Sequence, residues 1–162
     1  MPIIHFINSK TQTAGGMKNV LAYVTRTEKT QSEDKQYVTA LNCNTATAYE
    51  EMLATKNAYH KNSGRMYYHL VQSFPKGDGT SPELAHRIAV ELAEKSFGKY
   101  ECVVATHIDR EHIHSHFVFN LSASRTAGSI IPTVMKQHLS GIYHSVDAFF
   151  LTDLIIQHRG TS

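Results

Sequence analysis

Between positions 105 and 120 the chain reads ATHIDREHIHSHFVFN, a stretch that holds four of its eleven histidines. Side chains alternate faces along a strand, so an extended HIHSHFVFN places His112, His114 and His116 on one face and Ile113, Ser115, Phe117 and Phe119 on the other. A tight connection through Asp109, Arg110 and Glu111 brings His107, on the preceding strand, across from that row. Three imidazoles then converge on one point. Such an arrangement suits a divalent metal ion, since each neutral ring offers one nitrogen lone pair while a neighbouring carboxylate or carbonyl fixes its second nitrogen. Asp109 and Glu111 are near enough for that supporting role. With three protein ligands, coordination positions stay open for water or a substrate oxygen, as catalytic metal sites require. A solvated histidine-rich hairpin is the plain alternative, and three imidazoles on one strand face with a fourth beside them weigh against it. Spacing alone leaves the reaction open: carbonyl hydration, iron-dependent oxygen chemistry and phosphodiester chemistry are all compatible with three-histidine ligation.

The elements that must position this cluster follow from periodicity. YECVVATHI and HIHSHFVFNLS read as an antiparallel hairpin of central strands. Upstream, PIIHFINS reads as a strand, KTQTAGG as a loop, and MKNVLAYVTR as a helix with Met17, Val20, Leu21 and Val24 on its apolar stripe. TEKTQSEDK is charged without periodicity and reads as a mobile loop. QYVTALNC is a second strand, followed by a helix from about Thr45 to Tyr59 capped by Asn44 or Thr45. RMYYHLVQSF is a third strand, PKGDGT a turn, and Ser81, Pro82 and Glu83 start a helix with Leu84, Ile88 and Leu92 buried and Gly98 at its end. The closing segment predicts a short strand or loop and a helix from about Ser140 to His158. The order β-α-β-α-β-α-β-β-α points to an α+β domain with an antiparallel core sheet flanked by helices.

Composition sets wider bounds. With 162 residues, 41% of them hydrophobic, the chain is expected to form a single domain over 1–162. No apolar run approaches the roughly 18 to 20 residues that cross a bilayer, and the N-terminus lacks a basic segment with a cleavage site. Cys43 and Cys102 lie far apart, which suggests reduced thiols in a cytoplasm. The net charge of +2 is compatible with a nucleic-acid partner and does not by itself argue for one.

The run from His107 through Asp109 to His114 and His116, continuing into Phe117, Val118, Phe119 and Asn120, resembles the metal motif of the relaxases, the mobilisation nucleases of conjugative and mobilisable elements. The likeness is greatest to the branch of plasmid mobilisation proteins and the agrobacterial border endonuclease. GGMKNVLAYVTRTEK is similar to that family's N-terminal motif with its nucleophilic tyrosine, and YYHLVQSFPKGDGTSPELAHRIAVELAEK to its middle segment. The resemblance implies a ferredoxin-like or palm-like antiparallel sheet with the metal site on its central hairpin. It implies Tyr23 as nucleophile, His107, His114 and His116 as metal ligands, and His112 as a supporting residue. It further implies Mg2+ or Mn2+ in use, whereas all-nitrogen ligation favours Zn2+, Mn2+ or Ni2+ on affinity. From position alone Tyr23 lies at the boundary between the helix's core stripe and solvent, where an ordinary anchoring tyrosine also sits. Tyr67 and Tyr68 are the other candidate nucleophiles. His69 and Gln72 face opposite ways on their strand, so at most one of them, His69 being the candidate, turns toward the site. Lys18, Arg26 and Arg65, with Lys29, Lys56, Lys61 and Arg125 behind them, are candidates for phosphate contacts, and Tyr67 and Tyr68 for base stacking.

A phenol ionises near pH 10, more readily than an alcohol, and its attack on DNA phosphorus gives a phosphotyrosine ester that can be resealed without added nucleotide energy. The chain therefore reads as a DNA-nicking domain, expected to be the N-terminal part of a longer protein. It would act on a hairpin and single strand at a transfer origin and stay attached to the 5′ phosphate. Accessory mobilisation proteins and a coupling protein are the expected partners, in a bacterial cytoplasm without membrane insertion. A rolling-circle replication initiator or single-strand transposase of the same metal architecture is one alternative. A non-catalytic metal- and DNA-binding module is the other.

Overall fold

Alternating apolar and polar residues in YHLVQS, ECVVATH and HSHFVFN dictate strands whose two faces differ in chemistry. The computed structural model describes residues 2–120 and 122; the helix expected over 140–158, the strand or loop before it, and Arg125 lie outside the described residues. Along the chain the elements are β1 (Ile3–Phe6), α1 (Ala14–Val24), α2 (Thr27–Thr30), β2 (Gln31–Ser32), β3 (Lys35–Gln36), β4 (Val38–Leu41), α3 (Ala48–Ala58), β5 (Tyr68–Ser73), α4 (Pro82–Phe97), β6 (Glu101–His107) and β7 (His114–Asn120). Five strands form one sheet in the order β1-β5-β7-β6-β4. Every neighbouring pair is antiparallel. This is the α+β layering the sequence predicts, with the β6–β7 hairpin inside the sheet.

Helices cover both faces. Thr13 caps α1, its hydroxyl oxygen accepting the Gly16 N–H at 2.9 Å. Gly16 is required there, because a Cβ would lie 2.3 Å from the Thr11 carbonyl oxygen. Met17, Leu21 and Val24 of α1 join Met52 of α3 and pack with Val103, Ala105 and Val118 of the sheet. On the opposite face, α4 starts at Ser81, whose hydroxyl accepts the Leu84 N–H at 3.2 Å. Phe97 of this helix stacks on Phe119 of β7 with ring centroids 4.4 Å apart. The predicted stripe of α4 needs correction: Leu84 is only half-buried, while Ala85, Ala89 and Ala93 are buried beside Ile88, Leu92 and Phe97. Small side chains let the helix backbone approach the sheet closely.

The segment expected to be a mobile loop is ordered instead. Residues 27–36 form α2 and the β2–β3 hairpin, with Thr30 fully buried. The Lys29 carbonyl accepts the Ile108 N–H at 2.8 Å, and the Thr30 carbonyl accepts the Tyr37 N–H at 2.8 Å. Tertiary hydrogen bonds supply here what local propensity lacks.

Under α4 a polar ladder crosses the sheet. His86 bridges Thr39 and Thr106, each at 2.8 Å, and the Thr106 hydroxyl meets that of Ser115 at 2.8 Å. Burial, with the Lys35 charge adding, pushes His86 down to about 4. Between there and the ordinary value near 6.5, the unfolded chain takes up a proton that the folded chain refuses, so stability is full above about pH 6.5 and falls on acidification toward 4. Thermal unfolding should therefore occur at lower temperature at pH 5 than at pH 7, with His86→Asn making this dependence shallower. An unchanged pH slope in that variant would contradict the role given to His86.

Candidate active site

The hairpin register brings the candidate ligands together. His107 of β6 lies directly opposite His114 of β7, and Ala105 opposite His116, so three imidazoles project from one sheet face. Their nearest ring nitrogens all lie within 4.8 Å of one another. Each ring has one nitrogen committed elsewhere. His107 Nε2 donates to the Val24 carbonyl at 2.9 Å, and His114 Nδ1 donates to the His112 carbonyl at 3.0 Å. His116 Nδ1 meets His69 Nε2 at 2.8 Å. The remaining nitrogens of His107 and His116, Nδ1 and Nε2 respectively, are buried and have no partner among the described residues. Burying a hydrogen-bonding atom unpaired costs about 1–3 kcal/mol, and a metal ion is a partner that an imidazole lone pair accepts. Burial shifts the His107 ring below its usual protonation range and the His116 ring well below it, the other imidazoles adding to the effect at His116. Both shifts favour the neutral ring that ligation requires.

Tyr23 stands at the edge of this cluster. It occupies the last turn of α1, 40% exposed, with its ring edge-on to His107 at 5.7 Å and to His116 at 6.1 Å between centroids. The same helix end that presents Tyr23 supplies the Val24 carbonyl to His107.

With that geometry, the chain's relatives become informative. The sequence profile described as "Relaxase: MobA/VirD2-like, nuclease domain" matches residues 23–137. The chain belongs to this relaxase family. Among curated relatives, the group II intron-interrupted relaxase LtrB of Lactococcus lactis subsp. cremoris is 33% identical over 130 residues, covering 64% of this chain and 23% of that protein. A protein rlx of Staphylococcus aureus is 33% identical over 110 residues, covering 68% of this chain and 33% of its own length. Another S. aureus rlx protein is 37% identical over 81 residues, covering 50% and 24%. The chain thus spans between about a quarter and a third of the relatives it matches.

The other residues expected at the site of this relaxase domain are placed as follows. His69 is buried on the same face and orients His116. Burial pushes it down to about 4, with the charges of His107 and His5 adding. Gln72 points to the opposite face, and both side chains are buried rather than half-exposed. His112 lies before β7 rather than on it, because residues 108–113 form the connection, and its exposed side chain leaves only the backbone carbonyl to support His114. Neither carboxylate touches an imidazole. Asp109 accepts from Lys29 Nζ at 2.8 Å, which holds its carboxyl below the ordinary range, and Glu111 accepts from Lys76 at 2.6 Å.

Tyr67 is buried at 3% exposure with its hydroxyl on Ser9 at 2.6 Å, which leaves its ring no open face for a base to stack on. Tyr68 faces the α4 side, stacked on Phe119 at 5.5 Å and capped by Arg65 at 4.8 Å. Lys18 lies over Tyr49 at 5.5 Å. Lys56 is buried and donates to Ser122 at 3.0 Å, so it is no surface phosphate contact. Arg26 does reach Tyr23, its guanidinium carbon 5.6 Å from the ring centroid. The supporting carbonyls of Val24 and His112 had no sequence signal, since any residue type supplies a backbone oxygen.

Because His69 touches His116 but is not among the three converging rings, His69→Ala should weaken Mn2+ binding by about 10- to 100-fold without abolishing it, measured by calorimetry. His116→Ala should abolish it. Equal affinity in His69→Ala and the unaltered protein would refute the orienting role.

Proposed function

We propose that this relaxase domain nicks one DNA strand at a transfer origin and holds the cut end as a covalent 5′-phosphotyrosyl ester on Tyr23, initiating mobilisation or conjugative transfer. The observation that carries the reading is the half-exposed Tyr23 ring seated against His107 and His116. In the proposed step the Tyr23 oxygen bonds to phosphorus as the bond to the 3′ oxygen breaks, the phenol gives up its proton, and the 3′ end leaves as a hydroxyl. No water is consumed, so attack by that hydroxyl reverses the step and reseals the strand.

His107, His114 and His116 would hold Mg2+ or Mn2+, with Zn2+ or Ni2+ able to occupy the same nitrogens in vitro. A bound ion supplies Lewis-acid stabilisation of phosphate charge and a template for in-line attack. The chain's own residues keep that charge environment fixed: His69 and the carbonyls of Val24 and His112 lock the three rings, and α1 holds Tyr23 beside them. The relaxase relatives favour mobilisation over replication initiation or transposition, and Tyr23 beside the metal-binding rings favours catalysis over a purely binding module. The transfer-origin hairpin and adjoining single strand are the proposed DNA partners, with accessory mobilisation proteins and a coupling protein acting with the whole protein in the bacterial cytoplasm. No helix among the described residues is long and apolar enough to cross a membrane.

Single-stranded oligonucleotides tiling both strands of the DNA that flanks the reading frame, incubated with the protein and Mn2+, should include one that yields an SDS-resistant adduct. Tyr23→Phe should abolish the adduct and Tyr68→Phe should retain it. Adduct formation by Tyr23→Phe would overturn the nucleophile assignment, and no adduct from any oligonucleotide would overturn the nicking reading.

A further inference from the structure

One group at this site is not accounted for by the three histidines and the tyrosine. Lys29, from the segment between α1 and β2, is fastened to the β6–β7 hairpin twice: its carbonyl accepts the Ile108 N–H at 2.8 Å and its ammonium donates to Asp109 at 2.8 Å. The ammonium lies 5.4 Å from the centroid of the Tyr23 ring, and its side chain is only 15% exposed. Arg26 approaches the same ring and forms no ion pair with another described residue. Two cations thus approach one phenol beside three imidazoles, and among the described residues Asp109 is the carboxylate paired to either. An ammonium has three donors, and one is committed to Asp109.

Resting on the nicking reading above, we propose that Lys29 is a catalytic residue: its ammonium, held beside Tyr23 by Asp109, binds a non-bridging oxygen of the scissile phosphate. In the transfer the bond from the Tyr23 oxygen to phosphorus forms as the bond to the 3′ oxygen breaks, with the phenol proton lost and the 3′ oxygen ending as a hydroxyl. The phosphoryl group bears its charge on the non-bridging oxygens throughout, and Lys29 neutralises part of it. Asp109 is a positioning residue in this scheme, fixing an otherwise flexible lysine in place. The competing explanation is a structural clasp between α2 and the hairpin.

Two measurements on the full chain separate these. In the Mn2+-loaded protein, inorganic phosphate is the probe, with Mn2+-induced 31P relaxation reporting its binding beside the metal. Lys29→Met should weaken that binding about tenfold, as expected for one lost charged hydrogen bond, with Mn2+ affinity and thermal stability nearly unchanged. Single-turnover adduct formation on the oligonucleotide that reacts with the unaltered protein should slow about 100-fold in Lys29→Met, its dissociation constant changing little. Lys29→Arg should restore most of both, and Asp109→Asn should fall between. Lys29-dependent phosphate binding without any adduct from the unaltered protein would sink the nicking reading and leave the phosphate site standing. Lys29→Met matching the unaltered protein in phosphate binding and adduct rate, or losing both only alongside Mn2+ affinity, would overturn the proposal. So would an unaltered protein that binds no phosphate beside Mn2+.

Discussion

Two imidazole nitrogens buried without a partner among the described residues, Nδ1 of His107 and Nε2 of His116, govern how the surrounding structure is built. Each belongs to a ring whose other nitrogen is already committed, so the rings cannot turn to satisfy one atom without abandoning the other. The site is thereby poised for an electron-pair acceptor. Its partners come from separate parts of the chain: Val24 from the end of α1, His69 from β5, and the His112 carbonyl from the hairpin connection. Helix ends leave carbonyl oxygens free, and the Val24 oxygen uses that freedom to bind His107 one residue after Tyr23. The proposed nucleophile and one proposed metal ligand are thus positioned by the same turn of helix.

Register is the second constraint. A slip of one residue between β6 and β7 would send His114 and His116 to the α4 face and Ser115 to the site. The opposite face resists this through its own chemistry. Thr106 and Ser115, each adjacent in sequence to a ligand, are hydrogen-bonded to one another and tied through His86 to Thr39, while Phe119 stacks on Phe97 below them. The face that carries the three histidines therefore owes its geometry in part to polar and aromatic contacts on the far side of the sheet.

Strand alternation made His107, His114 and His116 legible from the sequence, because a period of two is a strong signal and the turn residues nearby mark a hairpin. It overreached at His112, since the connection is longer than DRE and the strand begins at His114. Alternation also separates Tyr67 from Tyr68 but does not tell which face is buried when helices cover both. The alanines of α4 were missed because their hydrophobic signal is weak although their small size is what close packing needs. The ordered segment 27–36 was opaque for a different reason. Its polar residues lack local propensity, and it is held by hydrogen bonds to residues such as Ile108 and Asp109, about eighty positions away. The same distance hides the pairing of Asp109 with Lys29, so the sequence alone suggests the carboxylate as a support for histidine.

The most direct test of the central claim is anomalous diffraction from crystals soaked in Mn2+. One strong peak is expected about 2 Å from His107 Nδ1, His116 Nε2 and the free nitrogen of His114, with the Val24, His69 and His112 hydrogen bonds intact. A peak elsewhere, or none with the two buried nitrogens satisfied by other protein groups, would contradict the claim.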